Sequence, residues 1–412
     1  MAMQIKPILA ALRHHKAGTV LLALQIALTL AIVCNALFII HQRLAHLSQP
    51  SGVDEANLFV IYSEWAGPTT PSQIDAQVQA DLYALRQLPG VRDAAPASSY
   101  PLSGGGDDIP ASLTPDQLQW TADPAIYASD EHLIDTLGLK LIAGRNFRAD
   151  EIGRMGSRDF TNPPEVIVTK ALADRMFPDG TALGKPIYLM SSTPSTIIGI
   201  VDRLQRQNVG TWTRAYAYQV VLWPKRPNFP QGVFYLVRAK PGQLAAAMRQ
   251  APKALYAQSR MRIIDPKDGL LSFAEVRRRI YDSDRGMAIL MGIISVVLLA
   301  ITAAGIVGLT SFWVGQRRKQ IGVRRALGAT RGDILNYFLT ENLLIGLGGV
   351  LVGAVLAIGI NLWMVTQFEM ARLSLAYVVA GVVALLLLGQ GAVLAPALRA
   401  SRVSPVEATR SV

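Results

Sequence analysis

Five histidines, one cysteine and two glycine-rich loops are the residues of this 412-residue chain from which chemistry could be built. His14, His15, His41 and His46 flank an uncharged run, where an interfacial position is enough to account for an imidazole. His132 stands apart in a polar region. General-base or nucleophilic chemistry needs a partner within hydrogen-bond reach, and no nucleophile accompanies this histidine along the sequence. Cys34 lies inside the uncharged run, so no intramolecular disulfide can staple the polar region. Leu102-Ser103-Gly104-Gly105-Gly106 mimics a nucleotide-contacting signature loop, and Gly180-Thr181-Ala182-Leu183-Gly184-Lys185 mimics a phosphate loop. The second has the wrong spacing, and Pro186 stands where a hydroxyl residue is required. Both are read as turns. The expectation is no catalytic residue, no cofactor site and no metal site.

A different kind of site is written in Arg317-Arg318-Lys319-Gln320-Ile321-Gly322-Val323-Arg324-Arg325-Ala326-Leu327-Gly328-Ala329-Thr330-Arg331-Gly332-Asp333-Ile334. Thr330 precedes Asp333 by three, so Thr330 can cap a helix whose first turn welcomes a carboxylate. Gly328 and Gly332 relax the backbone at the turn. Ile334, Leu335, Phe338 and Leu339 then form an apolar face. A short helix end flanked by Arg324, Arg325 and Arg331 suits insertion into a cleft on a partner. An ordinary basic loop held by lipid headgroups would explain the arginines but not the caps, and both readings stand at this point.

The elements that must position this segment are apolar. Hydrophobic residues make up 51% of the chain and charged residues 17%. Residues 18–40, 286–314, 343–365 and 375–398 contain no Asp, Glu, Lys or Arg. A bilayer core about 30 Å thick needs about 20 helical residues, so each run is long enough to span it. The first run exceeds the apolar region of a secretory signal and is read as a retained signal anchor. Charge sets the orientation. Residues 1–17 carry +3, the loop 315–342 carries +4 and the tail 399–412 carries +2, whereas residues 41–285 carry only +2. Both termini are therefore expected inside. That distribution accounts for a pI near 9.8 without nucleic acid, for which no basic groove interleaved with aromatics is present.

The expected fold is an α-helical membrane protein with four transmembrane helices and a large mixed α+β periplasmic domain between helices 1 and 2. The divisions are an interfacial amphipathic helix over 1–17, the first span with its extension over 18–47 and the external domain over 48–271. A stalk with the second span follows over 272–314, then a cytoplasmic loop at 315–342. The third span covers 343–365, a short outer loop 366–374, the fourth span 375–398 and a tail 399–412. Ser272 and Glu275 form a capping-box signature. The helix they start is expected to run unbroken through Tyr281 to residue 314, about 60 Å at 1.5 Å per residue. Strands are expected at 58–62, 166–169, 196–201, 220–223, 233–237 and 261–264, and helices at 72–88, 131–137, 170–177 and 242–258. Strand 233–237, helix 242–258 and strand 261–264 are read as a βαβ unit, and 95–110 as a mobile loop. In the third span Gly346, Gly349 and Gly353 offer a small face for close helix packing, with the partner helix unspecified. Gln25 and Asn35 are read as interhelical hydrogen bonders.

Residues 317–333, with Glu341 and Asn342 beyond them, resemble the FtsX-like permease family of ABC transporters. The run Pro396-Ala397-Leu398-Arg399-Ala400-Ser401-Arg402-Val403-Ser404-Pro405-Val406-Glu407-Ala408 is similar to that family's closing motif. The external region resembles the MacB periplasmic core, in Leu137-Gly138-Leu139, Ala143-Gly144-Arg145-Asn146-Phe147, Val166-Ile167-Val168, Arg175-Met176-Phe177-Pro178, Leu183-Gly184-Lys185 and Ile198-Gly199-Ile200-Val201. The resemblance implies the membrane subunit of an ABC complex in a bacterial inner membrane. Arg324, Arg325, Gly328, Ala329, Thr330, Arg331, Asp333 and Ile334 would then couple it to an ATPase. ATP would be bound by that ATPase, expected as a separate polypeptide because the chain starts almost directly at its first span. A second permease subunit, a periplasmic adaptor and an outer-membrane channel are the further partners implied. MacB-like efflux of a peptide, toxin or drug is the leading output. Lipoprotein release as in LolC and LolE, FtsX-like control of a cell-wall hydrolase and a non-transporting anchor are the alternatives.

Overall fold

The computed structural model describes residues 16–67, 70–156, 161–208, 216–368 and 372–402. Most of the expected interfacial helix, and the closing motif beyond Arg402, lie outside the described residues. The helices are α1 (Lys16–Leu47), α2 (Pro71–Arg86), α3 (Leu133–Leu137), α4 (Lys170–Met176), α5 (Leu244–Gln258), α6 (Phe273–Ile280), α7 (Asp282–Gln316), α8 (Arg318–Ala326), α9 (Arg331–Phe368) and α10 (Leu375–Ser401). The strands are β1 (Leu58–Trp65), β2 (Val91–Ala97), β3 (Ala111–Ser112), β4 (Ala125–Ser129), β5 (Leu141–Gly144), β6 (Gly153–Met155) and β7 (Glu165–Thr169). They continue with β8 (Pro186–Leu189), β9 (Pro194–Val201), β10 (Val220–Pro227), β11 (Gly232–Ala239), β12 (Arg262–Ile263) and β13 (Leu270–Ser272). The chain divides into two units, one running from Gln49 to Asp282 and one holding the long helices on either side of it.

In the Gln49–Asp282 unit the sheet runs β12-β1-β11-β2-β4-β10-β7-β9-β8-β3. The expected βαβ unit is present in split form. β11 and β12 both pair antiparallel with β1, so they run parallel with β1 inserted between them. β1 and β2 are related in the same way across β11. Two interlocked split βαβ units therefore carry α2 and α5. Both helices present a stripe at helical spacing, Ile74, Val78, Leu82 and Leu85 on α2 and Ala247, Ala251 and Leu255 on α5, to the sheet residues Phe59, Ile61, Val233, Tyr235 and Val237. Thr70 and Gln73 form a reciprocal capping box that starts α2, with Pro71 in the first turn. A second core surrounds α4, where Leu172 and Met176 meet Val166, Val168, Ile197, Val221 and Trp223.

Arg262 and Asp81 form an ion pair with no exposed surface on either side chain. Asp81 accepts from both terminal nitrogens of Arg262 at 2.8 Å and from the Tyr235 hydroxyl at 2.5 Å. Burial and the adjacent carboxylate push the Tyr235 phenol well above its ordinary value, so the hydroxyl stays a donor.

Two expectations are corrected here. Ala95–Ala97 is the end of β2, and the following loop is held down. Tyr100 and Leu102 are buried, while Leu102 and Gly104 donate to the carbonyls of Arg206 and Gln207. The stalk is also not one continuous helix. The Ser272 hydroxyl accepts from the Glu275 amide at 3.2 Å, but the Glu275 carboxylate turns to Arg278 and Arg279 rather than back to the cap. Those two guanidiniums pull its pKa down to about 2. The helix ends at Ile280, and Tyr281 (φ −97°, ψ 2°) separates it from α7.

Among the described residues, the other unit contains four helices long and apolar enough to cross a membrane: α1, α7, most of α9, and α10. Their buried faces meet in one cluster that includes Leu22, Ile26, Leu30, Ile306, Phe338, Ile345, Val350, Leu385 and Val393. Their outward faces expose Leu24, Leu28, Ile293, Val296, Leu351, Val355, Val383 and Leu387. Such all-round apolarity fits a hydrocarbon solvent. Polar groups inside the bundle find partners on neighbouring helices. Gln25 donates to the Ile301 carbonyl at 3.1 Å, the hydroxyls of Thr29 and Thr302 lie 2.7 Å apart, and Asn35 donates to the Ala357 carbonyl at 3.1 Å.

Candidate coupling site

The segment 317–341 folds as α8, a tight turn and the start of α9. α8 ends through a left-handed glycine. Gly328 has φ +97°, its amide donates to Arg325, and the Ala329 amide donates to Arg324 at 3.0 Å. The chain restarts at once. The Thr330 hydroxyl accepts from the Asp333 amide at 3.2 Å, and the Asp333 carboxylate accepts from the Thr330 amide and hydroxyl at 2.9 and 2.7 Å. Every backbone group of the turn that these caps satisfy is one less reason for it to rearrange.

The arginines divide by role. The Arg325 guanidinium donates to the Ser401 carbonyl at 2.8 Å, at the end of α10. Arg324 lies over the Tyr337 ring, 5.1 Å from its centre. Arg331 is exposed. Ile334 is buried with Ile321 and Phe338 in the bundle cluster. Thus Ile334 anchors the turn, Arg325 fastens α8 to α10, and the outward-facing part is made by other residues.

Two features escape a reading by residue type. One terminal nitrogen of Arg317 donates to both carboxylate oxygens of Glu341 at 2.9 Å, and Glu341 is only 2% exposed. Nothing in a 24-residue separation announces that pair. On the outer side, Val323 is 54% exposed and Leu327 83% exposed. Their i, i+4 spacing places Val323, on the last turn of α8, beside Leu327, the helix's C-terminal cap residue, on a face that does not enter the bundle. That spacing was the available signal, masked by the surrounding charge.

The glycines of α9 face two neighbours. A Cβ on Gly349 would lie 2.9 Å from the Ala23 carbonyl oxygen and the Ile26 side chain, and one on Gly353 would lie 2.8 Å from the Ala27 carbonyl oxygen. Both therefore pack on α1 of the same chain. Gly346 instead faces Leu386 of α10 at 3.2 Å.

His132, the histidine in the β-rich unit, sits with Nδ1 3.0 Å from both carboxylate oxygens of Asp93 and Nε2 3.7 Å from Glu131. Both nitrogens thus face carboxylates. Among the described residues no cluster of three or more His, Cys, Asp or Glu could hold a metal. The Asp93 hydrogen bond raises the His132 pKa, against burial and the nearby Arg86. Asp130, which faces the same group, is raised by burial and opposed by Arg86. A raised imidazole value contributes stability that is fully present below the unfolded pKa, about 6.5, and is lost as pH rises through the folded value. Thermal unfolding of wild type and His132→Gln should therefore differ most at pH 5 to 6 and converge at pH 8 to 9. Equal differences across the range would refute the assignment.

Against known proteins, residues 19–255 match the MacB-like periplasmic core domain and residues 292–405 match the FtsX-like permease C-terminal domain. The macrolide export ATP-binding/permease protein MacB of Chromobacterium violaceum is 26% identical over 338 residues, covering 77% of this chain and 49% of that protein. MacB 1/2 of Paracoccus denitrificans is 24% identical over 420 residues, covering 99% of this chain and 58% of that protein. The ABC transporter permease YvrN of Bacillus subtilis is 24% identical over 295 residues, covering 70% of each. The chain belongs to the MacB-like, FtsX-like family of ABC transporter permeases. It spans 49% to 58% of the length of these two MacB relatives.

Proposed function

We propose that this chain is the membrane subunit that converts ATP-driven motion of a separate ABC ATPase into displacement of its periplasmic core domain. The observation that carries the reading is the α8–α9 turn. It presents Val323 and Leu327 outward from a base capped at both ends and tied to the bundle by Arg317–Glu341 and Arg325–Ser401. An exposed aliphatic knuckle ringed by arginines is suited to a cleft, because apolar burial supplies affinity and the rim charges set orientation. The match of YvrN, named as an ABC transporter permease, over 70% of its length supports the membrane-subunit reading.

ATP is bound by that ATPase, and this chain contributes no catalytic or cofactor residue. The assembly lies in the bacterial inner membrane with both termini and the 315–342 loop cytoplasmic, supported by the positive-inside distribution. A second permease copy, identical or related, completes it. The output is MacB-like expulsion of a peptide, toxin or drug through a periplasmic adaptor and an outer-membrane duct.

Leu327→Asp should reduce co-purification of the ATPase from native membranes in mild detergent by more than tenfold, while the variant still inserts and extracts normally. Undiminished capture would place docking elsewhere. Recovery of wild type with lipoproteins, or with a wall hydrolase, would redirect the output. No ATPase with wild type would leave the anchor reading.

A further inference from the structure

Within the Gln49–Asp282 unit, the segment that follows the first membrane helix and the segment that precedes the second are bonded to each other and to Gln205, a buried residue of the loop after β9. Arg277 donates to the Glu55 carboxylate at 2.7 Å and to the Gln49 carbonyl at 2.5 Å. The same guanidinium lies over the Tyr281 ring at 5.4 Å. Tyr281 is the residue at which the helix breaks before α7, and its hydroxyl accepts from the fully buried Gln205 amide at 3.3 Å. The Gln205 backbone amide donates to Ser51 at 2.8 Å, and its carbonyl accepts from the buried Tyr127 hydroxyl of β4 at 2.8 Å. Gly52 closes the arrangement. Its φ is +88°, and a Cβ there would lie 2.3 Å from the Arg203 carbonyl oxygen, so no other residue fits.

The break at Tyr281 would ordinarily be a point where motion of a helix is lost, since a non-helical joint bends. Here the joint residue is itself packed and bonded on two sides. Displacement of Tyr281 has two paths, through Arg277 into 49–55 and through Gln205 into β4. Charge-assisted donors with a planar fork hold direction as well as distance. We infer that Arg277, Tyr281 and Gln205 are the positioning residues that tie the two ends of the Gln49–Asp282 unit, residues 49–55 and 277–281, to its sheet, so that both ends move as one body with it. This rests on the proposed ATP-driven role of the chain.

The test uses the full chain in nanodiscs with the ABC ATPase that co-purifies with it. Hydrogen–deuterium exchange is compared between the nucleotide-free and ATP–vanadate-trapped states. Wild type should change exchange at 49–55 and 203–207 together with Tyr281. Arg277→Ala should retain the change at Tyr281 and ATP hydrolysis within twofold, but lose at least two-thirds of the change at 49–55. Arg277→Lys should restore part of it, by keeping charge opposite Glu55. Tyr281→Phe removes only the hydroxyl, and should reduce the change at 203–207 with the fold intact. If wild type responds and both Arg277→Ala and Tyr281→Phe respond equally, the wiring is refuted while the coupling role stands. If no ATPase accompanies wild type, or no part of 49–282 responds, both fall.

Discussion

Gly353→Leu should cost the helix bundle about 2 kcal/mol or more, in the range of an overpacked core. The reason is distance. Its Cβ would stand 2.8 Å from the Ala27 carbonyl oxygen and 2.9 Å from Leu30 Cβ, and the first of these atoms is backbone that no rotamer change can move. Gly349→Leu meets the same face one turn earlier, against Ala23 and Ile26. The two together should prevent α1 and α9 from closing. Helices in lipid associate largely through such contacts, because hydrocarbon already solvates their side chains. Gly359→Leu is the matched control, on the same helix with nothing within 4 Å of its Cβ. Unfolding in detergent should show Gly359→Leu at or above wild type, from better helix propensity, and Gly353→Leu clearly below it. Equal midpoints would mean that the two helices are not in close contact.

That face could be read from the sequence as a small-residue stripe, but its partner could not. Spacing along one helix says which residues share a side and nothing about what covers it. The same limit runs through the chain. The α8–α9 turn was legible because its signals are local: a glycine, a threonine and an aspartate at fixed offsets. The break in the stalk is not legible in the sequence because its cause is not local. Arg277-Arg278-Arg279-Ile280-Tyr281 contains no glycine or proline, and the helix yields at Tyr281, where Gln205 and Arg277 hold the ring. The acidic pair Asp282 and Asp284 just beyond is the local sign of a new amino-terminal turn. The split βαβ units show the third case. Helix and strand periods gave the elements, but the strand inserted between β11 and β12 comes from nearly two hundred residues away.

The pair least visible in the sequence carries the other large expected effect. Arg317→Ala would leave the Glu341 carboxylate buried beside Tyr337 with the guanidinium nitrogen that meets both its oxygens gone. Breaking a buried pair from one side costs about 3–5 kcal/mol, whereas replacing both members with apolar residues is often neutral. Arg317→Ala should therefore unfold the bundle at markedly lower temperature, and Arg317→Met with Glu341→Leu should restore most of that loss. The double variant then separates stability from coupling. Arg317 begins the segment that leads into α8, and Glu341 is on α9, so the pair fixes the base of the knuckle to the bundle. Without it α8 keeps its tie to Ser401 through Arg325, the Arg324 guanidinium over Tyr337 and its apolar contact through Ile321, but loses the buried ion pair at its start. If the pair serves rigidity, the double variant should bind the ATPase yet transmit poorly, with ATP-driven export reduced several-fold at near-normal ATP hydrolysis. Full export by a stable double variant would show that the buried charges contribute only to the fold.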